Sequence, residues 1–124
     1  MALKIRSKEH RTFSRIVYLE GRLDNQTVAV LDEELDRVLA TDVTVIVFDL
    51  GGLEYISSIG LRSIFRTQKI MATRSGKALL VNPQPQVEKV LEIVNAVDLT
   101  AVFASVEELD RYLDVMQRKV VEGE

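Results

Sequence analysis

The feature that most constrains this chain is the run Val43-Thr44-Val45-Ile46-Val47-Phe48-Asp49-Leu50. It is rich in β-branched residues and shows almost no polar alternation, as expected of a strand in the middle of a parallel sheet. Thr44 and Asp49 interrupt it, and it is far shorter than a membrane-spanning segment. A central parallel strand needs crossover helices and further strands beside it. The remaining sequence supplies both.

Residues 3–6 alternate apolar and polar side chains and suit a short edge strand. Ile16-Val17-Tyr18-Leu19 is a second strand. A polar turn containing Glu9, His10 and Arg11 between them predicts an antiparallel hairpin, and Gly21 is read as the end of the second strand. Asp24, Asn25 and Thr27 offer cap oxygens for a first helix. That helix has Val28, Leu31, Leu35, Val38 and Leu39 on one stripe, with Asp32, Glu33, Asp36 and Arg37 outward. After the central strand, a second helix runs from near Ser58 to about Ser75. Leu61, Ile64, Phe65, Gln68 and Met71 lie near one of its faces, and Gly76 stops it.

Lys77-Ala78-Leu79-Leu80-Val81 is the next strand. Asn82-Pro83-Gln84-Pro85 turns into a third helix marked by Val87, Val90, Leu91 and Val94, with Pro85 suited to its first position. Residues 99–103 suit a weak last strand. Ser105 with Glu108 forms a capping-box pattern. The helix behind it carries Leu109, Tyr112, Leu113 and Met116 inward. No linker, repeat or low-complexity run divides the 124 residues, so the expectation is one α/β domain over 1–124. Its sheet should be mixed but mostly parallel.

Composition excludes several classes of function. A formal net charge of -3, with scattered basic residues, argues against a nucleic-acid surface. No signal-peptide pattern or spanning segment points to a membrane. The chain has no cysteine, which removes thiol catalysis and thiolate metal sites and fits a cytoplasmic protein. One histidine and dispersed carboxylates make no metal site, and no glycine-rich phosphate cradle is present, so no cofactor is expected. Gly51-Gly52 reads as a short turn after the central strand.

The chemistry-bearing stretch is Tyr55-Ile56-Ser57-Ser58-Ile59-Gly60-Leu61-Arg62. It places two hydroxyls where a strand ends, a short loop turns and a helix begins. A helix N-terminus has unpaired N–H groups and the positive end of the dipole. A serine there can simply cap the helix, or it can carry a phosphate held by the same groups. Two serines exceed what one cap needs. Arg62, one turn after Ser58, can pair with a phosphate or an acidic partner, or can be a solvated surface residue. Asp24 can be a cap alone, and Asp49 can hydrogen-bond the turn. A hydrolase elbow has glycine two residues either side of its serine, whereas Ser58 has Gly60 after it but Ile56 before it. It would also need a histidine base, and His10 is read as an exposed turn residue.

These segments resemble the STAS domain family, of the anti-sigma-factor-antagonist type. Glu20-Gly21-Arg22-Leu23-Asp24 is similar to the family's G-x-L-D element, and residues 47–62 to its central strand, loop and signature helix start. Val81-Asn82-Pro83-Gln84-Pro85-Gln86-Val87 resembles the next strand-to-helix turn. Val97-Asp98-Leu99, Phe103 and the Ser105-led helix resemble the ending. The resemblance implies a mixed, mostly parallel sheet of about four to five strands with helices largely on one side.

The resemblance also implies phosphorylation at Ser58, with Ser57 as second choice. Ser57 stands where many members have an aspartate, and Ile59 where many have a small residue. A partner-binding face is implied around Asp24, Tyr55, Ser57, Ser58, Ile59, Gly60 and Arg62. The implied partners are a serine-kinase anti-sigma factor, which binds the unmodified protein, and a phosphatase that resets it. The chain itself would be no enzyme, and a monomer or weak dimer. A rival on the same fold is an unphosphorylated scaffold subunit of a lipid-transport ATPase.

Overall fold

The computed structural model describes residues 3–93, 102–103 and 105–122, and of residues 102, 103, 112 and 116–122 the backbone only. The elements are β1 (Leu3–Arg11), β2 (Ser14–Leu23), α1 (Val28–Leu39), β3 (Val45–Ile56), α2 (Ser58–Thr73), β4 (Lys77–Val81), α3 (Pro85–Ile93), β5 (Val102–Phe103) and α4 (Val106–Glu122). The strands form a five-stranded sheet in chain order. β1 and β2 are antiparallel, and the β2–β3, β3–β4 and β4–β5 pairs are parallel. The mixed, mostly parallel sheet expected from the sequence is therefore the one observed. The readings of Val94, of residues 97–101 and of the Tyr112 and Met116 side chains lie outside the described residues.

The apolar periodicities place the helices. Leu31, Leu35 and Val38 of α1, Leu61, Ile64 and Met71 of α2, and Val87 and Leu91 of α3 join one core with Val17, Leu19, Ile46, Phe48, Leu50 and Leu80 of the sheet. The other face is covered by α4, whose Leu109 and Leu113 pack on Ile16, Val47, Leu79 and Val81. β3 thus lies between two apolar layers, which accounts for its unalternating sequence. Three of the described helices share one face and one takes the other.

The hairpin departs from its sequence reading. Glu9, His10 and Arg11 belong to β1, and the turn is Thr12-Phe13, with Phe13 at φ 62. His10 is not an exposed turn residue. Its side chain is 9% exposed, with Nε2 2.6 Å from Asp110 of α4 and Nδ1 3.2 Å from the Ser14 hydroxyl. Arg11 beside it pairs with Asp114 of α4. These polar residues are strand residues because the fourth helix supplies them with partners.

Gly21 does not end β2. It takes φ 109 inside the strand, which continues to Leu23. Nor are Gly51 and Gly52 a turn. β3 runs through them to Ile56, with irregular pairing against β2 between Tyr18 and Glu20 and again between Gly21 and Arg22. At each step β3 carries one extra residue, so its buried positions beyond Phe48 are Leu50, Leu53 and Ile56 rather than every second residue. A strand with that spacing does not look like one in sequence.

The outer half of β3 also outruns its neighbour, since pairing with β4 stops at Asp49↔Val81. Side chains take over there. Asp49 Oδ1 accepts the Gly51 N–H at 2.9 Å, and Gln84 and Gln86 donate to the carbonyls of Gly51 and Glu54 at 2.8 and 3.2 Å. Asp49 acts within the strand, not at its end. At the far end of α2, Ser75 takes the left-handed conformation, at φ 57, and Gly76 N–H returns to the Met71 carbonyl at 2.7 Å. Glycine is required at 76 for a different reason: a Cβ there would lie 2.2 Å from the Thr44 carbonyl oxygen.

Candidate functional site

The extended ends of β2 and β3 bring the sequence-selected residues to one rim of the sheet. Leu23 pairs with Ile56, and the Leu23 carbonyl accepts the Ser57 N–H at 2.9 Å. Ser57 alone separates β3 from α2. There is no loop around the serines, because the strand carries Tyr55 and Ile56 directly to the helix.

The two serines have different tasks. Ser57 is the N-cap residue, in extended conformation at φ -95 and ψ 172, and its hydroxyl accepts the Gly60 N–H at 3.4 Å. Ser58 is the first helical residue, is exposed, and makes no side-chain hydrogen bond among the described residues. The cap reading therefore belongs to Ser57, while Ser58 presents a free hydroxyl. No acidic residue stands in the first turn of α2, so nothing there offsets the positive end of the helix dipole. The N–H groups of Ser58 and Ile59 precede the first intrahelical bond, which runs from Leu61 N–H to the Ser57 carbonyl at 3.0 Å.

Gly60 sets the approach of this helix end. A Cβ at 60 would meet Leu23 Cγ at 2.6 Å and Ile56 Cγ1 at 3.3 Å. Leu23 is fully buried, so it has little room to yield. Ile59 is half-buried and Arg62 exposed one turn beyond Ser58.

Asp24 lies in the β2–α1 turn, which follows the strand that carries Leu23. Its Oδ1 accepts the Gln26 and Thr27 N–H groups at 3.0 and 3.2 Å, and its carbonyl accepts the Val28 N–H at 2.9 Å. Asp24 folds the turn that launches α1. Thr27 is buried and is the helix N-cap residue without a capping hydroxyl: its Oγ1 donates to the Arg22 carbonyl at 2.8 Å. Asn25 takes no part in these bonds.

Sequence reasoning passed over Arg22. Its guanidinium carbon stands 4.2 Å from the centroid of the Tyr55 ring, and its Nε is 3.8 Å from Asp24 Oδ2. Tyr55 is 41% exposed, so Arg22, Tyr55 and Asp24 form a polar-aromatic patch open to solvent. The signal was the position of Arg22 inside the G-x-L-D element; the bulged register that sets it opposite Tyr55 was not visible. Neither Asp24 nor Arg62 hydrogen-bonds to Ser58 among the described residues.

The chain's one histidine does not stand at this rim. His10 neighbours Ser14 at the start of β2, whereas Ser58 follows β3 where Ile56 pairs with Leu23 at the other end of β2, about 30 Å away along the sheet. A depression of about 670 Å³ lies at that opposite end too, lined by residues including His10, Phe13, Arg15 and Asp42. Among the described residues no cluster of His, Asp or Glu could hold a metal ion, and no helix is long and apolar enough to cross a membrane.

Comparison with known proteins agrees with this fold. The family model for the STAS domain matches residues 4–109. BtrV of Bordetella bronchiseptica, named as a candidate anti-sigma factor antagonist, is 33% identical over 78 residues, 63% of this chain and 67% of that protein. The anti-sigma F factor antagonist of Lysinibacillus sphaericus is 26% identical over 78 residues, 62% of this chain and 67% of its own. Among solved structures, the anti-sigma factor antagonist SpoIIAA in its unphosphorylated form superposes with a TM-score of 0.76 at 20% identity, covering 90% of this chain and 97% of that one. The phosphorylated form of the Bacillus cell fate determinant SpoIIAA gives 0.69 at 19% identity, over 88% and 99%.

Proposed function

This chain belongs to the STAS domain family, and from that membership we propose that it is an anti-sigma factor antagonist switched by phosphorylation of Ser58. Residues 1–124 are read as one such domain, acting in the cytoplasm. The unmodified rim of Asp24, Arg22, Tyr55, Ser58 and Arg62 docks onto a serine-kinase anti-sigma factor and displaces its sigma factor. The relatives' names support this reading, since one is named an anti-sigma F factor antagonist and the other a candidate anti-sigma factor antagonist.

The observation that carries the switch is the division of labour between the serines. Ser57 is spent on the cap, while Ser58 is exposed and free at the first position of the helix. The Ser58 hydroxyl can attack the γ-phosphoryl of the kinase's ATP without breaking any bond of the fold. ADP leaves, and the serine proton passes to the kinase. The phosphate brings a charge of about -1.5 to -2. Within this protein, the helix N-terminus tolerates it and Arg62 lies within one turn of it. At the docked surface the same charge is desolvated against the partner, and the complex dissociates. A partner phosphatase resets the switch.

The test is incubation with the cognate anti-sigma kinase and ATP, read by intact mass and peptide mapping. One phosphate on Ser58 is expected. A phosphate on Ser57 or Thr27 would move the site. Failure to accept phosphate, with tight binding to a transporter ATPase instead, would make the scaffold reading the correct one.

A further inference from the structure

Among the described residues, α4 covers only part of its sheet face, and on the remainder β1 exposes a set of basic side chains. The alternation of β1 sorts its residues between two faces. Leu3 and Ile5 turn to the core under α1, and the Ser7 hydroxyl donates to Glu34 of α1 at 3.1 Å. Lys4, Arg6 and Lys8 turn to the opposite face, and all three are exposed. Alternate strand residues stand about 7 Å apart, so these cations form a row. The row is notable in a chain of net charge -3. None of the three makes an ion pair among the described residues. Glu20 sits opposite Lys4 in the register without reaching it.

Tyr18 holds the row in place. Arg6 lies 4.5 Å and Lys8 5.6 Å from the centroid of its half-buried ring. A shallow depression of about 380 Å³ runs beside it, lined by Lys4, Ile5, Arg6, Tyr18 and Glu20. β1 is also an edge strand, so its outer backbone groups are unpaired within the sheet.

We propose that this row of Lys4, Arg6 and Lys8 over Tyr18 docks an extended acidic segment of a partner protein along the free edge of β1. An added strand projects alternate side chains to one face at the same spacing of about 7 Å, so alternate carboxylates meet successive cations. Its backbone completes the unpaired edge. A flat anionic bilayer does not fit the same row. α4 stands about 10 Å proud of this sheet face beside it, its Asp110 and Asp114 reaching down to His10 and Arg11, and its bulk holds a flat bilayer off the row. The row runs away from the Ser58 rim, with only Lys4, opposite Glu20, near the Arg22 end of β2, and the proposal does not depend on phosphorylation.

The experiment titrates the isotope-labelled full chain with a synthetic peptide alternating Glu and Thr, followed by amide shifts. A second peptide with Gln in place of every Glu, and phosphatidylglycerol vesicles, are the comparison arms. Shifts confined to β1 and Tyr18 are expected with the Glu peptide, weakening as salt rises. The Gln peptide, and a K4Q/R6Q/K8Q variant titrated with the Glu peptide, should each bind about tenfold more weakly. Equal shifts from both peptides, or shifts only elsewhere, overturn the proposal. So does vesicle binding that the K4Q/R6Q/K8Q variant loses. If that variant self-associates while the Glu peptide leaves β1 of the parent unmoved, the cations merely guard a free edge, and the proposal fails.

Discussion

Gly60 packs against Leu23 so closely that a Cβ on the glycine would stand 2.6 Å from Leu23 Cγ. This contact joins the start of α2 to the end of β2. It fixes where Ser58 sits relative to Asp24, Arg22 and Tyr55, none of which lies near the serines in sequence except Tyr55. The geometry of the rim therefore depends on the absence of one side chain.

Gly60→Ala should destabilise the protein despite the better helix propensity of alanine. Propensity favours alanine by about 1 kcal/mol, whereas overpacking a filled core costs about 1–3 kcal/mol. The net loss should be visible in denaturant unfolding. Gly76→Ala should cost more, because its Cβ would meet a backbone oxygen, Thr44 O, at 2.2 Å, and a backbone atom cannot change rotamer. If Gly76→Ala proves the milder variant, the strand-to-helix packing is misjudged.

The two serines should separate cleanly in stability. Ser57→Ala removes the cap and should cost about 1 kcal/mol. Ser58→Ala should stay within about 0.5 kcal/mol of the parent, as an exposed residue with no bond to lose. Thermal unfolding of both variants decides this. A larger loss at Ser58 would assign the cap to the wrong hydroxyl.

Ser58→Asp should leave the fold intact and weaken binding to the anti-sigma kinase. A carboxylate in the first turn interacts favourably with the helix dipole, so stability should change by less than about 1 kcal/mol. In the docked complex the charge should lower affinity by at least about tenfold. Titration calorimetry against the kinase, run beside Ser58→Ala as the uncharged control, measures it. Undiminished affinity of the Asp variant would leave Ser58 without a switching role.

Tyr55→Leu probes the patch that sequence reading left incomplete. The ring is 41% exposed, and its contact with Arg22 is the interaction removed. Stability should fall by no more than about 1 kcal/mol. Partner affinity should fall by about tenfold or more if the ring anchors the docked surface. Equal affinity of parent and variant would place the interface elsewhere.

Legibility followed local rules. The helix stripes of α1, α2 and α3, the β4 strand and Pro85 as the first residue of α3 were all readable, because each rests on periodicity or on one residue's backbone preference. The hairpin boundary was not. Glu9, His10 and Arg11 look like turn residues, and they are strand residues because Asp110 and Asp114, a hundred positions later, meet His10 and Arg11. The outer half of β3 was misread for the same reason. Gly51 and Gly52 signal a turn locally, yet β2 on one side and Gln84 and Gln86 on the other hold them extended.

The sequence by itself determined the α/β class, the order of most elements, the position of the serines at a helix start and the segments that resemble the family. Those are properties of neighbouring residues, and short-range sterics and apolar spacing express them. Only the tertiary structure decided which serine caps and which is free, because that depends on where the chain leaves β3 and on how Leu23 seats the helix end. It also decided that Arg22 covers Tyr55 and that Lys4, Arg6 and Lys8 face away from the main core. These depend on strand register, and a shift of one residue in register turns every side chain to the other face.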